Sequence, residues 1–385
     1  MTHPPLPRRR SRWIIAPFAL VLVIAALWSA FWFYATSAAT AGIAEWRAQE
    51  ERLGRFHSCG SQTIGGFPFR IEVRCTDAGV ELRNAEPPLT MRARDVLVVA
   101  QVYQPTLLIA EISGPLTIAE LGRPVSLVAA WTLAQASARG VPADPERLSL
   151  VIDGLRLDRP VAGGTEAVLA ADRVELHGRR NPGSMPGNPV VDLAARLTSA
   201  TAPVAGAIGA KPLDADVTAV LRGLKTINLQ PLRVQLRQLQ AAGGTLQVTD
   251  ARVQQADTAA RASGTLSLSQ RGRLDGTLRL TVAGIEPFLA RSGLDKLLPG
   301  PGPGGTTVNG LNSLAPILGG LDRLVPGLGT AARNNVNAGT LAAGVALLGE
   351  HTELDGKAAI ALPLRFSDGA ASLGPIPLGQ TAPLY

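Results

Sequence analysis

Carboxylates set close together are the first candidates for chemistry, because two of them in unlike surroundings can divide the roles of general acid and general base. The sequence has two such pairs, Asp153 with Asp158 and Asp214 with Asp216. Both lie in stretches of alternating polarity, where acidic residues ordinarily occupy the solvated face of a strand. The four histidines, His3, His57, His177 and His351, are scattered, and none has a second ligand at helical spacing. The Pro299–Gly305 stretch, PGPGPGG, has the glycine content of a phosphate loop. Its prolines remove N–H donors that a phosphate needs, and no Lys-Ser or Lys-Thr follows. There is no G-x-S-x-G elbow, no H-E-x-x-H and no P-loop. These residues predict no catalytic site, no metal site and no cofactor.

The two cysteines, Cys59 and Cys75, leave three readings: a disulfide, a pair of free thiols, or part of a metal site. No paired ligand set accompanies them, which weighs against zinc. The disulfide is the expectation. It would close a loop with 15 residues between its ends, worth roughly 3 kcal/mol in the chain-entropy model.

The element that must position everything else is Trp13–Tyr34, 22 residues without a charge. At about 1.5 Å per residue such a helix is roughly 33 Å long, enough to cross a hydrocarbon core of about 30 Å. Trp13 stands at one edge and Trp28, Trp32 and Tyr34 at the other, as membrane-interface anchors. Arg8, Arg9, Arg10 and Arg12 precede the span, and the charges after it are mixed. The positive-inside rule then places residues 1–12 in the cytoplasm and the bulk of the chain across the membrane, in the periplasm. A cleaved signal peptide is the alternative, with Ala39-Thr40-Ala41 as a small-x-small site. The apolar run is longer than the ~7–15 residues usual for such peptides.

The formal net charge of +7 falls to +3 without the four tail arginines, 33 basic against 30 acidic residues. With so few aromatic residues, that argues against a nucleic-acid partner. Residues 35–56 read as a helical stalk, with Ile43, Trp46, Leu53 and Phe56 near helical spacing. Residues 57–298 alternate in strand fashion, and form the expected antiparallel β domain. Phe69, Ile71 and Val73 share a face, and Asp77-Ala78-Gly79 reads as a turn into a second strand. Leu246, Val248, Leu266, Leu268, Leu278, Leu280 and Val282 alternate with Thr, Ser, Gln and Arg, and are the candidate lining of an apolar groove. Arg271-Gly272 marks a hairpin. Asn228–Ala242 and Ile285–Leu298 read as helices, the first stopped by Gly243-Gly244. Residues 299–349 read as a Pro/Gly hinge and an apolar helical region with Leu311–Leu348 over the sheet. Residues 350–385 read as C-terminal strands joined through Asp368-Gly369, then an apolar tail. The fold class is mainly β with some α: a transmembrane helix and stalk, then a long curved, open antiparallel sheet with a few packed helices.

Three stretches carry a resemblance: the basic-tailed span with its stalk, GFPFRIEVRC at Gly66–Cys75, and LPLRFSDGAASLGPIPLG at Leu362–Gly379. Together they resemble a family of membrane-anchored alphaproteobacterial proteins catalogued as a domain of unknown function, which brings no catalytic residues. More loosely, the layout is similar to the AsmA-like periplasmic group, whose anchored, groove-like sheets are thought to guide lipid acyl chains. That implies a non-enzymatic protein of the bacterial inner membrane that contacts lipid and supports envelope lipid homeostasis or transport. The alternatives are a periplasmic scaffold that docks envelope proteins along sheet edges, and an enzyme with an unrecognised site.

Overall fold

The computed structural model describes residues 15–141, 145–185, 187–206, 209–224, 232–284, 349–374 and 376–385. The arginine tail, Trp13, His3, the Ile285–Leu298 helix, the Pro299–Gly305 hinge and the Leu311–Leu348 region lie outside the described residues.

Helix α1 runs unbroken from Ile15 to Arg52. It is long and apolar enough to cross a membrane. Three of its hydroxyls are satisfied locally: Ser29 donates to the Ala25 carbonyl at 2.8 Å, Thr36 to the Trp32 carbonyl at 2.9 Å and Thr40 to the Thr36 carbonyl at 2.9 Å. The second half of α1 is not a free stalk. It lies along the first strands, with Arg47 donating to the Gln62 side chain at 2.6 Å and the Trp46 ring 4.5 Å from that of His57. The helix also stops at Arg52 rather than at Phe56, because Gly54, at φ 76°, turns the chain into a strand that contains Phe56.

Among the described residues the strands form one 19-stranded sheet in which every pairing is antiparallel. β1 (Arg55–Ser58) and β2 (Ser61–Gly65) lie end to end along β3 (Arg70–Leu82), which pairs on its other side with β4 (Leu89–Gln101). β5 (Gln104–Ser113) and β6 (Leu116–Glu120) together line β4. β7 (Val125–Ala130) and β8 (Leu133–Arg139) form the next course, and β9 (Arg147–Val161) closes against both. A plain meander follows through β10 (Gly164–Arg180), β11 (Val191–Ala200), β12 (Leu213–Arg222), β13 (Thr245–Gln255), β14 (Thr258–Leu268) and β15 (Leu274–Ala283). β15 pairs with β17 (Lys357–Ser367), whose far side takes β16 (Glu350–Leu354) and β18 (Ala370–Leu373). The expected apolar tail supplies a last strand, β19 (Ile376–Gln380), on β18. The short helix α2 (Leu232–Ala241) ends at Gly243, φ 61°, with the Gly244 N–H bonded to the Leu239 carbonyl at 2.7 Å.

The turn expected at Asp77-Ala78-Gly79 is instead a jog within the continuous strand β3. Asp77 has φ 50°, a value Asp tolerates better than most residues, and the pairing with β4 skips from Thr76 to Ala78. The jog lets one strand serve two partners, β2 before it and β1 after it.

Directly paired residues share a face of a sheet. The row beginning at Ile64 continues through Val73, Val98, Ala110, Ala136, Leu150, Leu176, Ala195, Val217, Ala251, Ala262, Leu280 and Leu362 without a polar residue. The next row begins at Ile71 and runs through Leu108, Leu148, Leu193, Val248, Leu278 and Leu364. Gly264 sits in that row between Val248 and Leu278 with φ 151°, and a Cβ there would stand 2.2 Å from the Thr277 carbonyl oxygen. Gly264→Val is therefore expected to cost at least about 2 kcal/mol. The shift of the urea midpoint checks this, against Gly164→Ala, whose methyl would enter open space.

Candidate functional site

The apolar face is the feature that sets this sheet apart. All seven residues expected to line a groove, Leu246, Val248, Leu266, Leu268, Leu278, Leu280 and Val282, project from it. Val248 is buried and the other six are half-buried. The lining extends well beyond them, into strands whose alternation is equally plain but whose side-by-side placement only pairing decides. Leu176 and Val253 on this face remain 47% and 39% exposed. Among the described residues, no large side chain is fully buried, and the most buried positions are alanines such as Ala134, Ala200 and Ala283. This is the signature of a single layer, since a second layer would bury the Leu and Val side chains.

Helices reach this face at two places. At the first strands α1 lies over it: Trp32 is buried together with Ile71 and Val102, with Ala35, Ala39, Ile64 and Val73 packed around them. At the far end α2 contacts β14, and its Leu239 is buried. No described helix covers the courses between.

Two of the tryptophans expected as interface anchors are bonded to the sheet. The Trp28 indole donates to the Pro68 carbonyl at 2.8 Å and the Trp32 indole to the Arg70 carbonyl at 2.9 Å. The rings of Trp32 and Phe67 meet edge to face at 5.4 Å. Tyr34 stays exposed, and Trp13 lies outside the described residues. Cys59 and Cys75 form the expected disulfide, their Cα atoms 5.6 Å apart, and the loop it closes contains the Gly66–Arg70 turn that Trp28 and Trp32 hold.

Residues 32–382, from the tryptophan that joins helix to sheet through the last strand, match the family described as uncharacterized protein conserved in bacteria, DUF2125. The chain belongs to that family. No curated protein matches it.

The opposite face of this DUF2125 sheet carries the charges. Across its strands Glu175, Arg196, Asp216 and Arg252 stand side by side. Asp153 pairs with Arg173 at 2.7 Å, Asp216 with Arg196 at 2.7 Å and Asp250 with Arg261 at 2.7 Å. Such exposed pairs are screened by solvent and add little stability, but they favour one register over a slipped one. A hydrogen bond from Arg173 holds the Glu175 carboxyl below its ordinary range.

The acid pairs do not come together as catalytic dyads. Asp153 is engaged by Arg173, while Asp158 stands opposite Ala167 and Val128. Asp214 accepts the Ser199 N–H at 2.8 Å, while Asp216 faces Arg196. The histidines are equally dispersed. His57 lies 3.4 Å from Glu50, His177 lies 3.6 Å from Glu175, and His351 pairs with Ile360 on β17. A depression of about 700 Å³ on the polar face is lined by Arg147, Ser149, His177, Arg179, Asp192 and Thr218 among others. Its Asp192 is already bonded to Arg179 at 3.0 Å and to the Asn181 amide. Among the described residues no three His, Cys, Asp or Glu side chains cluster as a metal site would require.

Proposed function

We propose that this protein is a non-enzymatic, membrane-anchored lipid-contacting protein. It holds acyl chains against the apolar face of its sheet, in the periplasm of a bacterium and tethered to the inner membrane. In this reading it supports envelope lipid homeostasis or transport. The observation that carries the reading is the unbroken run of apolar rows from Ile64 to Leu362, with Leu176 and Val253 open to solvent. Exposed apolar area costs about 25 cal/mol per Å², and open faces of this size mark ligand or partner sites. Lipid chains are the ligand whose shape suits a long, featureless aliphatic strip without polar groups to orient it.

Two features support a retained anchor over a cleaved leader. The Ala39-Thr40-Ala41 stretch lies inside continuous helix, with Ala39 packed against the sheet. Cleavage there would also remove Trp28 and Trp32, which hold the Gly66–Arg70 turn. The arginines before the span and the disulfide support an orientation with the sheet in an oxidising compartment. The likeness to the AsmA-like group points the same way.

The test is mass spectrometry of lipids that co-purify with the full chain in mild detergent. Leu176→Asp combined with Val253→Asp is expected to strip most of the bound lipid and leave the fold intact, since both side chains are more than a third exposed. Ile109→Asp, an exposed site on the polar face, is the control and should retain lipid. Equal lipid content in all three proteins would overturn the reading.

A further inference from the structure

The turn between β2 and β3 is built unlike a loop meant for water. The Gly66 carbonyl accepts the Arg70 N–H at 3.1 Å, and the Phe69 carbonyl accepts the Val102 N–H at 3.0 Å. The Pro68 and Arg70 carbonyls are taken by the two indoles of α1 at 2.8 and 2.9 Å. Pro68 itself has no N–H to satisfy. Four of its five carbonyls, those of Gly66, Pro68, Phe69 and Arg70, are thus paired with protein, while its aromatic rings stay exposed. Phe67 and Phe69 are 55% and 62% exposed, and Tyr103, in the adjacent β4–β5 turn, is 67% exposed. A water-facing loop has the opposite pattern, with rings tucked in and carbonyls hydrated. Paired backbone under bare rings is what a low-dielectric medium demands.

The depth of this turn follows from its partners. The Phe69 ring lies 6.0 Å from that of Trp28, tilted by 50°, and Phe67 meets Trp32. From Ile15, Trp28 lies about 20 Å and Trp32 about 26 Å along the helix axis at ~1.5 Å per residue. A hydrocarbon core is about 30 Å thick, so Trp32 falls near its rim on the side of the sheet and Trp28 about one helical turn further in. Whatever is bonded to them lies at the same level. Arg70, 62% exposed in its side chain and ion-paired to Glu72 at 2.6 Å, is long enough to keep its charge among the headgroups.

We infer that the Gly66–Arg70 turn and Tyr103 form a second membrane contact. Phe67, Phe69 and Tyr103 enter the interfacial layer of the same bilayer that α1 crosses, so the sheet stands on the lipid at this end. The apolar rows then begin at the membrane surface, since Ile71 follows the turn directly and is buried against Trp32. This inference rests on α1 spanning the membrane, and does not depend on acyl chains binding farther along the sheet.

The experiment places the photoreactive residue benzoylphenylalanine, one site at a time, in the full chain reconstituted into phosphatidylethanolamine–phosphatidylglycerol vesicles. The sites are Phe67, Phe69, Tyr103, Leu22 in the span, and Leu121, which is 42% exposed at the opposite end of the same strands. After irradiation, lipid adducts are read by mass spectrometry. Adduct yields at Phe67, Phe69 and Tyr103 comparable with that at Leu22, and only background at Leu121, are expected. Adducts at Leu22 with none at the three aromatic sites would overturn the contact and leave the span standing. Absence of adducts at Leu22 would overturn the span, and the second contact with it.

Discussion

Trp32→Ala is expected to separate helix from sheet. Trp32 is 6% exposed, packs with Ile71 and Val102, meets Phe67 edge to face and donates to the Arg70 carbonyl. Removing a buried tryptophan costs about 3–5 kcal/mol through lost contacts and the cavity left behind. Here the cost falls on the coupling between α1 and the first strands, because the ring packing and the indole hydrogen bond described for Trp32 are all made there. Hydrogen exchange should show residues 61–75 losing protection while β11–β14 keep theirs. Trp32→Phe tests the bond separately. It retains much of the ring packing but leaves the Arg70 carbonyl without its donor, for an expected loss of about 1–3 kcal/mol. Unchanged protection of residues 61–75 in Trp32→Ala would mean that the helix only tethers the sheet and does not support it.

Loss of the disulfide should weaken the same region by another route. Cys59 sits in the break between β1 and β2, and Cys75 lies in β3, which among the described strands is the one paired with both short strands. Edge strands paired on one side fray easily. The bridge limits how far they can open, and in the chain-entropy model contributes roughly 3 kcal/mol. Cys59→Ser with Cys75→Ser should lower the urea midpoint accordingly, and reductant should do the same to the wild-type chain but nothing to the double variant. A midpoint indifferent to reductant in the wild type would refute the contribution. Because the bridged loop contains Phe67 and Phe69, the double variant should also loosen the grip of Trp28 and Trp32 on that turn.

Local chemistry fixed much of this architecture before any contact was known. A charge-free stretch from Trp13 to Tyr34 reads as a long apolar helix, and α1 covers all of it that is described. Alternation with period two marked most strands from Ile71 to Leu373, since successive side chains of a strand point to opposite faces. Gly243-Gly244 stopped α2, and Arg271-Gly272 and Asp368-Gly369 placed hairpins, because each supplies a backbone angle that other residues resist. Within each of β13, β14 and β15 the candidate groove residues share a face, since parity along a strand is a local property.

What the chain could not show locally was everything that depends on partners distant in sequence. Asp77 looks like the start of a turn, and becomes a jog only because β1 and β2 share β3. Residues 35–52 read as a stalk, and pack on the sheet because Ala35 and Ala39 present a small-residue face to Ile64 and Val73. Trp28 and Trp32 look like ordinary interface residues until Pro68 and Arg70 offer them carbonyls. The apolar rows are the clearest case. Each strand announces which of its residues share a face, but whether Leu150 stands beside Leu176, and Leu176 beside Ala195, is set by register. Register comes from turns, bulges and ion pairs between strands, and a slip of one residue would have put the same leucines among the arginines of the other face.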